Sequence, residues 1–343
     1  MASASSSDAA KADALVEFLE STETLSIICH DNPDPDTLAS ALALARIGAH
    51  AGVDTVRKLY HGDITHQQNR VFVNLLGLEL ETYEPEEFDE AACLAVVDSA
   101  GPGVNNALDP SLEVDIIIDH HATETPDGPF RDVREGYSST TEILVEYLQA
   151  LDIEPGPRLA TAMQFAIRQD TDGYLRQVSA NTLGQARFLQ PLSDVELLRQ
   201  MAKPPVSETT LDALGTSIET RTVRSSYMVA NVGRITERDA VPQATDYLLQ
   251  LEGVETVIVF GINGREIHVS ARSSDPRVQL GTLLEEIFGD VGSAGGHDGM
   301  AAAQLPLGIF GDVSENEAEL IRIAGDLIER RVFEATGHDN PYS

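Results

Sequence analysis

The first 170 residues alternate short apolar runs with longer helical stretches, and few architectures accept that order. LSIIC (25–29), TVRKLY (55–60), CLAVVD (93–98) and VDIIID (114–119) read as strands. TLASALALARIGAHA (37–51), HQQNRVFVNLLG (66–77), SSTTEILVEYLQAL (138–151) and RLATAMQFAIRQD (158–170) carry helical spacing. Gly77 reads as a stop, and the hydroxyl-rich SSTTE as a capped start. Strands alternating with helices predict an α/β fold, a parallel sheet with helices on both faces. In such sheets ligands bind beyond the carboxyl ends of the strands.

The pattern changes at 190–225, a polar-helical stretch broken by KPP that reads as a connector. Beyond it, 227–233, 255–264 and 265–274 read as strands, with ING as a hairpin turn between the last two. Segments 279–289 and 319–335 read as helices. A second, smaller α+β domain across a cleft from the first is the expectation. The predicted boundaries are a flexible tail over 1–10, a first domain over 11–190, the connector over 191–225 and a second domain over 226–337. No internal repeat or low-complexity linker is visible.

Composition narrows the function classes. The chain has 343 residues, with 56 acidic against 23 basic and a net charge of −33. A surface this acidic suits a salt-rich cytoplasm, where screening removes self-repulsion, and makes a halophilic source an expectation. It argues against duplex DNA as a partner, since duplex binding depends on dense Lys and Arg. No run of about 18–20 apolar residues predicts a transmembrane helix, and no membrane partner is expected. The N-terminus lacks the basic head and apolar core of a secretory signal. The two cysteines, Cys29 and Cys93, lie in apolar runs, so buried thiols and a cytoplasmic location are expected.

The informative residues stand where the predicted strands end. His30, Asp34 and Asp36 follow the first strand, Asp98 ends the third, and Asp119, His120 and His121 end the fourth. Asp170 closes a helix and enters a DTDGY turn, in which Asp172 reads as a turn residue. An Asp after a strand ordinarily caps a helix or makes a turn, and an HH pair is ordinarily surface. Four segments delivering such groups to one end of a sheet exceed what capping explains. Carboxylates with neutral imidazoles suit Mn²⁺ or Mg²⁺, and the lack of a thiolate cluster disfavours structural Zn²⁺. His50, His61, His66, His268 and His338 read as ordinary surface or core histidines. No Walker loop is present, and GINGRE reads as a turn rather than a dinucleotide fingerprint.

HDNPDPDTLAS, VVDSA, IIDHH and RQDTDGY occur in the order and approximate spacing of the DHH phosphoesterase family, and the chain resembles that family over roughly residues 20–335. GDITHQQNRVFVNLLG, SSTTEIL and NTLGQARFL are similar to its connecting segments. HVSARSS and SAGGHDGMAAAQLP resemble the Ser-x-Arg-Ser strand and Gly-Gly-His signature of the associated C-terminal domain. The resemblance implies two divalent cations, Mn²⁺ before Mg²⁺ or Co²⁺. His30 and Asp34 would hold one, Asp36, His120 and Asp170 the other, and Asp98 would bridge them. His121 would face the substrate phosphate, with Asp119 behind it as a carboxylate that fixes an imidazole's tautomer. The chemistry such a pair supplies is an activated water and a clamp on in-line displacement at phosphorus.

The resemblance also implies a substrate side built from Arg272, Ser273, Gly295, Gly296 and His297. Arginine gives bidentate phosphate contacts, and glycines let backbone N–H groups approach a phosphate. The chain departs from the family pattern at Ala294, where a third Gly is usual, and in DGMAAAQ after His297. The implied function is hydrolysis of short oligoribonucleotides, linear or cyclic dinucleotides or a 3′,5′-bisphosphonucleoside. The alternatives are a RecJ-like single-strand exonuclease, an inorganic pyro- or polyphosphatase, and a non-catalytic nucleotide-binding module. The oligomeric state stays open, a homodimer included.

Overall fold

The computed structural model describes residues 6–64, 67–84, 92–121, 127–203, 206–296, 299–312 and 317–338. The chain divides into two compact units, Met1–Pro204 and Pro205–Ser343. The first opens with α1 (Ser6–Leu19), followed by β1 (Thr24–Ile28), α2 (Pro35–Ala51), β2 (Thr55–Tyr60), α3 (Gln67–Leu76) and β3 (Glu81–Thr82). Next come β4 (Cys93–Val97), β5 (Ile116–Asp119), β6 (Phe130–Val133), α4 (Thr140–Ala150), α5 (Gly156–Asp170), α6 (Ala180–Leu189) and α7 (Val195–Ala202).

The six strands form one parallel sheet in the order β3-β2-β1-β4-β5-β6. Alternate residues of β1 split between its faces. Leu25, Ile27 and Cys29 join the main core with Leu38 and Leu44 of α2, Phe72 of α3, Leu144 of α4 and Phe165 of α5. Ile28 joins a smaller cluster on the other face with Leu59, Tyr83, Val96 and Ile117, roofed by Leu108 and Val114 of the β4–β5 connection. Burial on both faces explains why these strands read as continuous apolar runs. Strand order reverses direction between β1 and β4. There the connections diverge and leave a crevice at the carboxyl ends.

Two elements were not legible in advance. Residues 6–10, assigned to the tail, start α1, which buries Ala12, Leu15 and Leu19 in the main core. β6 was missed because a buried Asp132 interrupts its apolar alternation. The stretch read as a connector is shared between units: α7 belongs to the first, and α8 (Glu208–Thr220) to the second.

The second unit continues with β7 (Thr222–Arg224), β8 (Tyr227–Arg234), α9 (Ala240–Leu248), β9 (Thr256–Asn263), β10 (Glu266–Ser273) and α10 (Leu280–Phe288). It ends with β11 (Ser293–Gly296), β12 (Met300–Pro306) and α11 (Glu317–Ala335). The sheet order is β11-β12-β10-β9-β8-β7, antiparallel except between β8 and β9. Ile258 and Phe260 face α10 and α11, whereas Val257 and Val259 face the α9 side. The expected hairpin is present, with Asn263 opposite Glu266 and Gly264 at φ 58°. Gly295 and Gly296 lie in β11, and His297 lies outside the described residues. Cys29 is buried, but Cys93 only partly; both are free thiols, and burial pushes each up to about 12. Among the described residues no helix is long and apolar enough to cross a membrane.

Candidate metal centre

The crevice beside β1 and β4 is where the acids and imidazoles converge. A pocket of about 310 Å³ is lined by His30, Asp34, Asp36, Asp98, His120, His121 and Asp170. His30 follows β1; its Nε2 lies 3.5 Å from Asp34 Oδ1 and 3.7 Å from Asp98 Oδ2. Its Nδ1 meets the Asp31 carbonyl at 3.0 Å, which directs Nε2 inward. His120 follows β5; its Nε2 lies 3.5 Å from Asp98 Oδ1 and 3.9 Å from Asp36 Oδ2. The Tyr137 carbonyl, 3.2 Å from His120 Nδ1, fixes that ring in the same way.

Capping explains part of this arrangement and not the rest. Asp34 is the N-cap of α2, its Oδ1 accepting from the Asp36 and Thr37 amides. Asp36 accepts from the Thr140 and Thr141 amides at 2.8 Å, at the start of α4. Asp34 Oδ2 takes no part in the cap, and each Asp36 oxygen keeps a further lone pair. Asp98 caps nothing. It ends β4 at φ 58°, a conformation that costs an L-residue energy and that Asp and Asn tolerate best. Its Oδ1 accepts from Thr140 Oγ1 at 3.0 Å. It therefore stands between the His30–Asp34 and His120–Asp36 pairs.

Charge is badly balanced here. Burial, followed by Asp36, Asp34, Asp170 and Asp119, pushes the Asp98 carboxyl well above the usual carboxylate range. Burial, followed by Asp36 and Asp34, pushes Asp170 up to about 10. Burial opposes the charged form of His30, but the Asp34 carboxylate outweighs it and raises that imidazole. Asp170 Oδ2 and Asp119 Oδ2 are buried without a hydrogen-bond partner. Such orphaned oxygens each cost about 1–3 kcal/mol, and a divalent cation in the pocket would satisfy that of Asp170, which lines it. His30, Asp34 and Asp98 present ligand atoms all within 4.8 Å of one another, and so do Asp98, His120 and His121. The donor set, hard oxygens plus imidazole nitrogens, fits Mn²⁺ or Mg²⁺.

His121 differs from His120. Its Nδ1 bonds Asp119 Oδ1 at 2.8 Å, which is the main cause of its raised pKa. That nitrogen is committed to Asp119, leaving Nε2 for a ligand. Asp172 lies in a turn at φ 48°, as read.

Sequence reasoning passed over Asn105, Ser138, Arg176 and Gln177, which also line the pocket. Among the described residues Arg176 is the one arginine or lysine of the lining, and it donates to the Asp170 carbonyl at 3.1 Å. Left-handed residues Asp172, Gly173, Tyr174 and Gln177 bend the chain back so that Arg176 reaches the site. Only Gly173 signals that bend in the sequence. The Thr140 contact was half visible, as part of the hydroxyl-rich start of α4.

In the second unit, Arg272 Nε pairs with Asp246 at 2.7 Å, and its Nη1 donates to the Ala271 carbonyl. Ser273 Oγ shares a hydrogen bond with Thr256 Oγ1 at 2.9 Å. A Cβ on Gly296 would lie 2.4 Å from the Met300 carbonyl, so the close approach of β11 to β12 requires glycine there.

A parallel sheet with facing carboxylates and imidazoles at its switch point defines a centre whose donors could hold divalent cations. Residues 24–167 match the N-terminal domain of the DHH family, and residues 224–330 match the DHHA1 domain. The chain belongs to the DHH family. An uncharacterized protein of Methanocaldococcus jannaschii is 39% identical over 326 residues, 93% of this chain and 66% of that protein. The cyclic-di-AMP phosphodiesterase PdeA of Listeria monocytogenes is 27% identical over 325 residues, 89% of this chain and 48% of that protein. The chain thus spans half to two thirds of these relatives. Among solved structures, an exopolyphosphatase-related protein from Bacteroides fragilis superposes with a TM-score of 0.69 at 15% identity, covering 95% of this chain and 98% of that one. Exonuclease RecJ bound to manganese gives 0.50 at 14% identity, covering 96% and 94%.

Proposed function

We propose that this chain is a divalent-cation-dependent phosphoesterase acting on short nucleotidic substrates, among them oligoribonucleotides, linear or cyclic dinucleotides and a 3′,5′-bisphosphonucleoside. The observation that carries this reading is the meeting of His30, Asp34, Asp36, Asp98, His120 and Asp170, from four chain segments, in one pocket. In this proposal His30, Asp34 and Asp98 hold one cation, and Asp36, Asp98, His120 and Asp170 a second, with Mn²⁺ preferred. Bound cations of this kind supply a water of lowered pKa and neutralise charge at phosphorus. Asp119 holds His121 so that its Nε2 donates to a phosphate oxygen. Arg176 contributes the positive side chain that the acidic pocket otherwise lacks. Arg272, Ser273, Gly295, Gly296 and His297 serve the substrate. The PdeA relative supports a nucleotide over an inorganic substrate. A cytoplasmic, salt-rich setting is part of the proposal, on the strength of the −33 charge.

The test is a panel of linear and cyclic dinucleotides, longer single-stranded RNA, a 3′,5′-bisphosphonucleoside and pyrophosphate, with Mn²⁺, Mg²⁺, Co²⁺ or EDTA. Fastest turnover on a short nucleotide with Mn²⁺, and none in EDTA, is expected. Dinucleotide binding without turnover under every metal would leave a non-catalytic module. Arg176→Ala and Arg272→Ala should each raise KM. Losing one charge-assisted hydrogen bond is worth about 1.5–3 kcal/mol, or about 10- to 100-fold, with kcat less affected. Steady-state kinetics decide this; unchanged KM in both variants removes them from the substrate side.

A further inference from the structure

A second pocket, of about 400 Å³, lies in the first unit. It is built on the ends of α2 and α5 opposite to those carrying Asp36 and Asp170. Arg46 of α2, Lys58 of β2 and Arg158 of α5 line it. That grouping is unexpected in a chain with 23 basic residues against 56 acidic ones, of which only three are lysines. Elsewhere many basic residues pair with carboxylates, as in Arg57–Glu81, Arg134–Asp132 and Arg331–Asp290. Among the described residues, Arg46, Lys58 and Arg158 make no such ion pair; the Arg158 guanidinium donates to the Gly77 carbonyl. Three cations against the single carboxylate of Glu79 leave the lining net positive, which focuses a positive potential in the concavity.

The remaining lining is chemically mixed. Leu42 and Leu159 give an apolar floor, and Glu79 stands as a hydrogen-bond acceptor. Pro155, the N-cap of the 15-residue α5, also lines the pocket, which places the positive end of that helix beside it. Inorganic phosphate would use the cations and leave the floor and the acceptor idle. A nucleotide uses all three, and the volume falls within the range of small-ligand pockets.

We infer that this pocket is a second binding site, separate from the acidic centre, for a nucleoside di- or triphosphate. The phosphates meet Arg46, Lys58 and Arg158, the base lies on Leu42 and Leu159, and Glu79 accepts from a base or ribose donor.

Calorimetric titration of the whole chain with ADP in EDTA tests this without any metal-dependent chemistry. ADP should bind, and the double variant Lys58→Gln/Arg158→Gln should weaken binding at least tenfold with its melting temperature kept. Arg46→Gln, at an exposed position, should weaken it without any demand on folding. Phosphate should bind at least tenfold more weakly than ADP. Asp98→Asn should leave ADP affinity intact. No ADP binding to the wild type, or equal affinity in the double and Arg46 variants, overturns the site. Phosphate binding as tightly as ADP overturns the nucleotide assignment. Failure of the dinucleotide panel with this titration succeeding would strike only the phosphoesterase reading.

Discussion

Replacing Asp98 by Asn is expected to abolish cation-dependent turnover while making the metal-free protein more stable. The two effects have opposite signs because the carboxylate is in the wrong surroundings for anything except a cation. It is buried, and four further aspartates raise its pKa. Asn keeps the shape, can still accept from Thr140 Oγ1, and tolerates φ 58° nearly as well. What disappears is a buried acid among like charges, so the melting temperature in EDTA should rise by a few degrees. What also disappears is a group within reach of both imidazoles, His30 and His120. Losing several kcal/mol of charge stabilisation, about 4 kcal/mol, lowers the rate about 10³-fold. Mn²⁺ titration, kinetics and thermal melts on one preparation measure all of this. Turnover within tenfold of wild type would show that Asp98 does not bridge the site.

Asp132→Ala should unfold the first unit more readily than any other single truncation discussed above. Asp132 is fully buried on β6 and accepts from Arg134, from Tyr147 Oη at 2.5 Å, and from Lys11. Arg134 in turn bonds Glu146 at 2.6 Å and Tyr137 Oη at 3.1 Å. Removing the central carboxylate leaves buried donors without their acceptor, a loss of about 3–5 kcal/mol. For a unit of this size that is a fall of about 6–20 °C in melting temperature. The pH dependence follows from the direction of the shift. Burial raises the Asp132 pKa, but Arg134, Lys11 and Tyr147 together bring it below the ordinary value. Its stabilisation is therefore complete above the unfolded value of about 3.9 and is lost as pH falls toward the lower folded value. The gap between wild type and variant should stay constant from about pH 5 upward and close below about pH 4. Chemical denaturation across that range checks it. A gap that widened toward acid would contradict the assignment.

Legibility from sequence tracked burial. β1, β4 and β5 stood out because a parallel strand covered on both faces has no polar alternation to confuse it. β8 and β9 stood out for the same reason, with Met228 to Ala230 and Val257 to Ile262 buried throughout. β6 did not, since half of its buried residues are charged. β12 was read as part of a glycine-rich signature because its core residues, Ala301 and Ala303, are as small as the exposed Ala302 beside them. α1 was discounted for its Ser- and Ala-rich start, although Ala12, Leu15 and Leu19 fall on one helical stripe.

The acidic centre shows the same division. Side-chain chemistry and position after a strand are local properties, so His30, Asp34, Asp36, Asp98, His120, His121 and Asp170 could be chosen from the residues themselves. Their convergence is a property of strand order. Ile28 of β1 and Val96 of β4 are 68 residues apart in sequence, too far for any local contact, yet they pair directly, and the two strands open the crevice between them. Arg176 belongs wholly to the second kind of knowledge, because four left-handed residues, three of them not glycine, turn it inward. The pairing of Arg46, Lys58 and Arg158 does too. The amino-acid sequence by itself determined the element types, the acid-and-imidazole inventory and the charge. Only the tertiary structure decided which of those groups share a cavity, because distance in space is set by sheet pairing and helix packing rather than by spacing along the chain.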